Sequence, residues 1–85
     1  MKKIYNNLTV ENLLKTNIFN KEQKEEIEKG IEEDLDVSIY AKQDFTEYQM
    51  REIRLGLEKG LDVSIYAKSE FDYLQMDQIR FCLEK

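Results

Sequence analysis

Histidine is absent from this chain, and with it the side chain most often used as a general base near neutral pH. One cysteine, Cys82, and the scattered serines Ser38, Ser64 and Ser69 therefore have no partner that would activate them as nucleophiles, and hydrolase or transferase chemistry is not expected. Three glycines are too few for a phosphate-cradling loop and are needed at helix ends and close contacts. A thiolate or imidazole metal site is lacking as well, so no catalytic residue, metal or cofactor is expected. Cys82 has no second cysteine to pair with, in keeping with a reducing compartment. No apolar run approaches the roughly 18 residues of a membrane span, and no basic start leads into a hydrophobic stretch as in a signal peptide; the expectation is a cytoplasmic protein. Positive charge is outnumbered, 13 Lys and Arg against 18 Asp and Glu. The net charge of -5 disfavours direct nucleic-acid binding, whose affinity comes mostly from Lys and Arg on phosphates.

What is present is a repeat. Shifting the chain by 26 residues aligns Phe19 with Phe45 and Phe71, Gln23 with Gln49 and Gln75, and Ile27 with Ile53 and Ile79. Residues 34–59 and 60–85 share 16 identities in 26, where chance gives roughly 2, and a period of this size marks stacked supersecondary units. Hydrophobic residues, 41% of the 85, suffice for a core despite 36% charge, so the chain should fold as one domain. A chain this short buries only about 60–65% of its unfolded surface, and a partner or self-association is expected.

Each unit reads as a long helix followed by a short one. Asn20 with Gln23, Thr46 with Gln49 and Asp72 with Gln75 form capping boxes that start three helices. Phe45 with Met50 and Phe71 with Met76 have the spacing of hydrophobic staples. Gly60 supplies a left-handed residue to end the second long helix, and Asp34 takes that place one unit earlier. Residues 61–65 alternate apolar and polar as a half-buried strand would, but Asp62 as an N-cap favours a short helix over 63–68. Thr9 to Asn17 reads as a degenerate N-terminal capping helix. The expected fold is all-α: a short α-solenoid-like stack of helix-turn-helix repeats, with 1–18 as the cap, units 19–44 and 45–70, and a truncated unit 71–85. The strand alternative for 35–42 and 61–68 would make it an α/β solenoid.

The series Phe-Asp-x-x-Gln-Met-x-x-Ile-Arg-x-x-Leu-Glu-Lys over 71–85, preceded by Gly-Leu-Asp-Val-Ser-Ile-Tyr-Ala over 60–67, resembles a 26-residue helical repeat of uncharacterised phage and plasmid proteins of Gram-positive bacteria. The resemblance covers residues 19–85 and implies a mobile-element origin. In a small protein of that origin it also implies, by analogy, inhibition of a host defence system of the CRISPR or restriction type. It brings no catalytic residues. Cys82 departs from the pattern where Gly30 and Gly56 stand, and Phe81 where Lys29 and Leu55 stand.

Gly30, Gly56 and Cys82 share one repeat position inside the long helix, where glycine costs about 1 kcal/mol relative to alanine, so a neighbouring helix is expected to pack closely there. Advancing 100° per residue puts Met50, Ile53 and Leu57 on one side of the second long helix, with Tyr48 and Leu55 nearly opposite. The third helix repeats this with Met76, Ile79 and Leu83 against Leu74 and Phe81, whereas the first has polar Glu22 and Lys29 in the second row. That second row either packs on adjacent units or docks a partner protein, through Tyr48, Leu55, Leu74 and Phe81 with Tyr73 at the rim. With no later unit to cover it, the third helix is also a candidate homodimer seam. Arg54 and Arg80 are expected to pair with carboxylates inside the stack.

The leading expectation is a non-catalytic protein-interaction module, inhibiting a host defence nuclease complex by occupying its surface. An acidic first helix with Glu22, Glu25, Glu28 and Glu32 offers a nucleic-acid mimic as the alternative, and a structural homo-oligomer is a third.

Overall fold

In the computed structural model, Asn12 and residues 14–85 are described, and among them every regular element is helical. The elements are α1 (Lys21–Glu32), a 3-10 turn (Val37–Ile39), α2 (Glu47–Glu58), a second 3-10 turn (Val63–Ile65) and α3 (Tyr73–Leu83). The expected cap over 9–17 lies largely outside the described residues; Leu14, within them, is partly buried against the core. There is no strand among the described residues, so the α/β alternative is not realised.

All three long helices start as their sequences require. The Asn20, Thr46 and Asp72 side chains accept from the backbone N–H groups of Gln23, Gln49 and Gln75, and each glutamine Oε1 accepts the cap residue's own N–H at 2.8, 2.8 and 2.9 Å. The first two also end alike. Leu35 N–H donates to the Gly30 carbonyl and Asp34 N–H to that of Ile31, with the same pair of bonds from Leu61 and Gly60 to Gly56 and Leu57. These are Schellman closures, and their left-handed residues are Asp34 (φ 59°) and Gly60 (φ 72°).

The segments after the closures are tighter and shorter than the helices expected over 63–68 and its counterpart. Val and Ile are poor helix formers, and so short a run does not recover the cost of helix nucleation. What turns inward is Val63 and Tyr66, three apart, as on the eclipsed face of a 3-10 turn, while Ile65 stays 47% exposed. Asp62 does cap this turn, accepting from Ser64 N–H at 3.2 Å.

Val37 and Tyr40, or Val63 and Tyr66, drop onto the glycine of the preceding long helix. A Cβ on Gly30 would stand 2.1 Å from the Tyr40 hydroxyl oxygen, and one on Gly56 2.1 Å from that of Tyr66. The glycines therefore do admit a close neighbour, and it is the short turn of their own unit rather than another long helix. Each buried tyrosine hydroxyl donates 14 residues back, to the Glu26 carbonyl at 2.7 Å and the Glu52 carbonyl at 2.7 Å. Burial raises both phenol pKa values well beyond the ordinary 10.0, so they remain donors throughout.

α2 lies between α1 and α3, and each joint uses the same two polar links. Gln23 Nε2 donates to the Phe45 carbonyl at 2.7 Å and Gln49 Nε2 to that of Phe71 at 2.6 Å. Arg54 Nε reaches Glu26 at 2.9 Å, and Arg80 Nε reaches Glu52 at 3.1 Å, as expected of the two arginines. Around these links Ile27, Met50, Ile53 and Met76 are fully buried.

Candidate interaction surface

The capping boxes and the glutamine bridge fix where the first turns of α2 and α3 sit. Gln49 holds its own cap through Oε1 and, through Nε2, the backbone entering α3 at Ser69 (3.3 Å) and Phe71 (2.6 Å). The two helix starts are thereby tied side by side. Tyr48 and Tyr73, each in a first turn, meet with ring centroids 5.3 Å apart and planes tilted by 36°. Both remain open to solvent, 51% and 43% exposed.

The remaining residues of the expected apolar row divide. Leu74 and Phe81 are 60% and 61% exposed on α3, while Leu55 on α2 is half-buried. The Lys85 ammonium sits 5.0 Å from the Phe81 ring centre. One helical face thus carries Tyr48, Leu55, Leu74 and Phe81, with Tyr73 bridging the two helices. In α1 the matching positions hold Glu22 and Lys29, both exposed. Among the described residues, this exposed apolar row is therefore carried by α2 and α3 and not by α1.

Glu22, Glu25, Glu28 and Glu32 are all exposed on α1, and none of them takes part in the ion pairs between the units. Glu28 and Glu32 line a shallow depression with Leu14 and Ile31. Glu26 behaves differently although it lies in the same acidic run. It is 3% exposed, and it accepts Arg54 on one oxygen and Arg51, at 3.4 Å, on the other. Arg54 in turn binds Glu58 and lies 3.7 Å from Glu33. A hydrogen bond shared with Glu58, reinforced by desolvation, holds the Glu33 carboxyl above its ordinary range. Glu52 is also raised, chiefly by desolvation, although Arg80 opposes the shift.

Periodicity marked the exposed row but not the Tyr48–Tyr73 pairing, because those residues occupy different repeat positions. Nor did the acidic run reveal which glutamate is internal; the signal available was the spacing of 28 between Glu26 and Arg54, repeated by Glu52 and Arg80. Cys82 is exposed, and among the described residues no tyrosine descends on it as on Gly30 and Gly56. No group of His, Cys, Asp or Glu among the described residues is arranged to hold a metal ion. No described helix is long and apolar enough to cross a membrane. Compared with known proteins, the chain matches no family model, no curated protein and no solved structure.

Proposed function

We propose that this chain is a non-catalytic protein-binding module, a short α-solenoid-like stack whose outer apolar row covers a surface of a larger partner. The observation that carries the reading is the exposure of Tyr48, Tyr73, Leu74 and Phe81 together on α2 and α3, where α1 has charged residues at the repeat-equivalent row. Isolated exposed hydrophobics are ordinary, but exposed aromatic and aliphatic residues recurring on one face of two neighbouring helices, with charged residues at the matching positions of the third, have the composition of an interface centre. The resemblance to repeats of phage and plasmid proteins supports an inhibitor of a host defence nuclease complex as the biological setting.

The test installs α1's own residues on α3. Leu74→Glu with Phe81→Lys reproduces Glu22 and Lys29 at equivalent positions, so the helix tolerates them by precedent. The double variant keeps its circular dichroism and loses partner capture; capture at the wild-type level would refute the reading. Light scattering at high concentration checks whether the partner is a second copy. A second reading is supported by the unshielded carboxylates of Glu25, Glu28 and Glu32 on one side of α1, which fit an acidic nucleic-acid mimic. Reversing all three to Lys abolishes inhibition if mimicry operates and is without effect if the apolar row does the binding.

A further inference from the structure

We infer that the cleft between the first turns of α2 and α3 receives an arginine side chain of the partner protein; this rests on the reading of the outer row as a protein-binding surface. The cleft has a volume of about 350 Å³, room for a side chain. Tyr48, Tyr73, Glu70 and Asp72 line it, with Thr46, Gln49 and Ser69, and there is no lysine or arginine among the lining residues. Glu70 has no ion-pair partner among the described residues. Asp72 uses Oδ1 to accept the Gln75 N–H at 2.8 Å, which leaves its second oxygen for another donor.

The chain contains its own control for this site. At the joint between α1 and α2 the repeat places Glu22 where Tyr48 stands and Glu47 where Tyr73 stands, so the same backbone frame carries no aromatic wall. There Gln43 Nε2 spans to the Ile18 carbonyl at 3.5 Å. The aromatic cleft is thus not required by the helix packing, which both joints share. Its aromatic lining comes from two replacements at exposed positions, and Ser69 stands where Gln43 spans the first joint. Aromatic faces beside unpaired carboxylates favour a cation, and a planar guanidinium both stacks on a ring and donates to a carboxylate, which a compact ammonium does less well. Continuity with Leu74, next to Tyr73, puts the arginine at the edge of the apolar contact, as interface arginines commonly are.

The probe is Nα-acetyl-arginine methylamide, titrated to saturation while the ring resonances of Tyr48 and Tyr73 are followed by NMR. Its uncharged comparator is the citrulline analogue. Saturable shifts of both rings are expected, with the citrulline compound binding several-fold more weakly. Glu70→Gln with Asp72→Asn removes both charges and keeps an N-cap, since Asn caps as well as Asp; it weakens arginine binding about two- to five-fold for each carboxylate lost. Tyr73→Leu abolishes the Tyr48 shift. Equal binding of the citrulline compound, unmoved rings, or an unchanged affinity in the charge-removed variant would overturn the assignment. If the probe fails while Leu74→Glu with Phe81→Lys still loses the partner, only the arginine site falls. If the probe binds but that double variant captures the partner normally, the outer-row reading falls, and with it the assignment of the arginine to a partner protein.

Discussion

Gly56→Ala is a substitution that ordinarily stabilises an α-helix, by about 1 kcal/mol at an unobstructed interior position. Here the added Cβ would lie 2.1 Å from the Tyr66 hydroxyl oxygen and 2.6 Å from Val63 Cγ1. Both neighbours are buried, at 0% and 2% exposure, so neither has free space to retreat into. Expelling the hydroxyl breaks its 2.7 Å bond to the Glu52 carbonyl, a loss of about 1 kcal/mol, and overpacking adds about 1–3 kcal/mol. Set against the helix-propensity gain, the expected net effect is a destabilisation of about 1–3 kcal/mol. For a domain of this size that lowers Tm by roughly 5–20 °C, read by thermal and urea unfolding with circular dichroism. Adding Tyr66→Phe to the alanine variant should recover part of the loss by removing the nearest atom, although Tyr66→Phe alone is destabilising; the sign of that coupling is the specific signature. An alanine variant more stable than wild type would refute the interlock. The matching control is Cys82→Ala, at the same repeat position but without a descending tyrosine, which should change stability by less than about 0.5 kcal/mol.

Three further outcomes follow from the joints. Gln49→Ala loses both a capping bond and the bridges into α3, and should cost about 2 kcal/mol in urea unfolding, whereas Gln75→Ala loses the capping bond alone and should cost about 0.5–1 kcal/mol. Glu26→Ala should destabilise by about 2–3 kcal/mol, less than for a fully stranded buried partner because Arg54 keeps Glu58 and Glu33; a change within experimental error would remove the carboxylate from the core account. Because the folded-state pKa of Glu33 lies above 4.5, the folded protein holds the proton more tightly than the unfolded chain. Its contribution to stability therefore improves as pH falls from neutral towards the carboxylate range, and is lost as pH rises through the folded value. Glu33→Gln should be more stable than wild type at neutral pH and lose that advantage near the ordinary carboxylate pKa, as pH-dependent unfolding curves will show.

Much of the scaffold was legible because local chemistry and the repeat pointed the same way. The three capping boxes and the left-handed residues Asp34 and Gly60 are each decided by a few neighbouring side chains, and all form as expected. The short segments were harder, since Leu61, Val63 and Ile65 suggest a period of two while burial follows Val63 and Tyr66 with a period of three. Only the approach of Tyr66 to Gly56 decides between these patterns, and that contact joins two elements. The site was half visible for the same reason. Exposed rows follow from helical periodicity, so Leu74 and Phe81 could be read directly, but the Tyr48–Tyr73 contact depends on Gln49 drawing two helix starts together. The capping box shows one half of that glutamine and hides the other.

The most direct test of the outer row replaces single residues with the photocrosslinker benzoylphenylalanine at Leu74 and Phe81 and, in parallel, at the repeat-equivalent Glu22 and Lys29. Irradiation in cells that contain the partner should yield a discrete adduct to another protein from positions 74 and 81 and none from 22 and 29. Adducts from 22 and 29 alone, or equal yields from both pairs, would contradict the placement of function on the apolar face of α2 and α3.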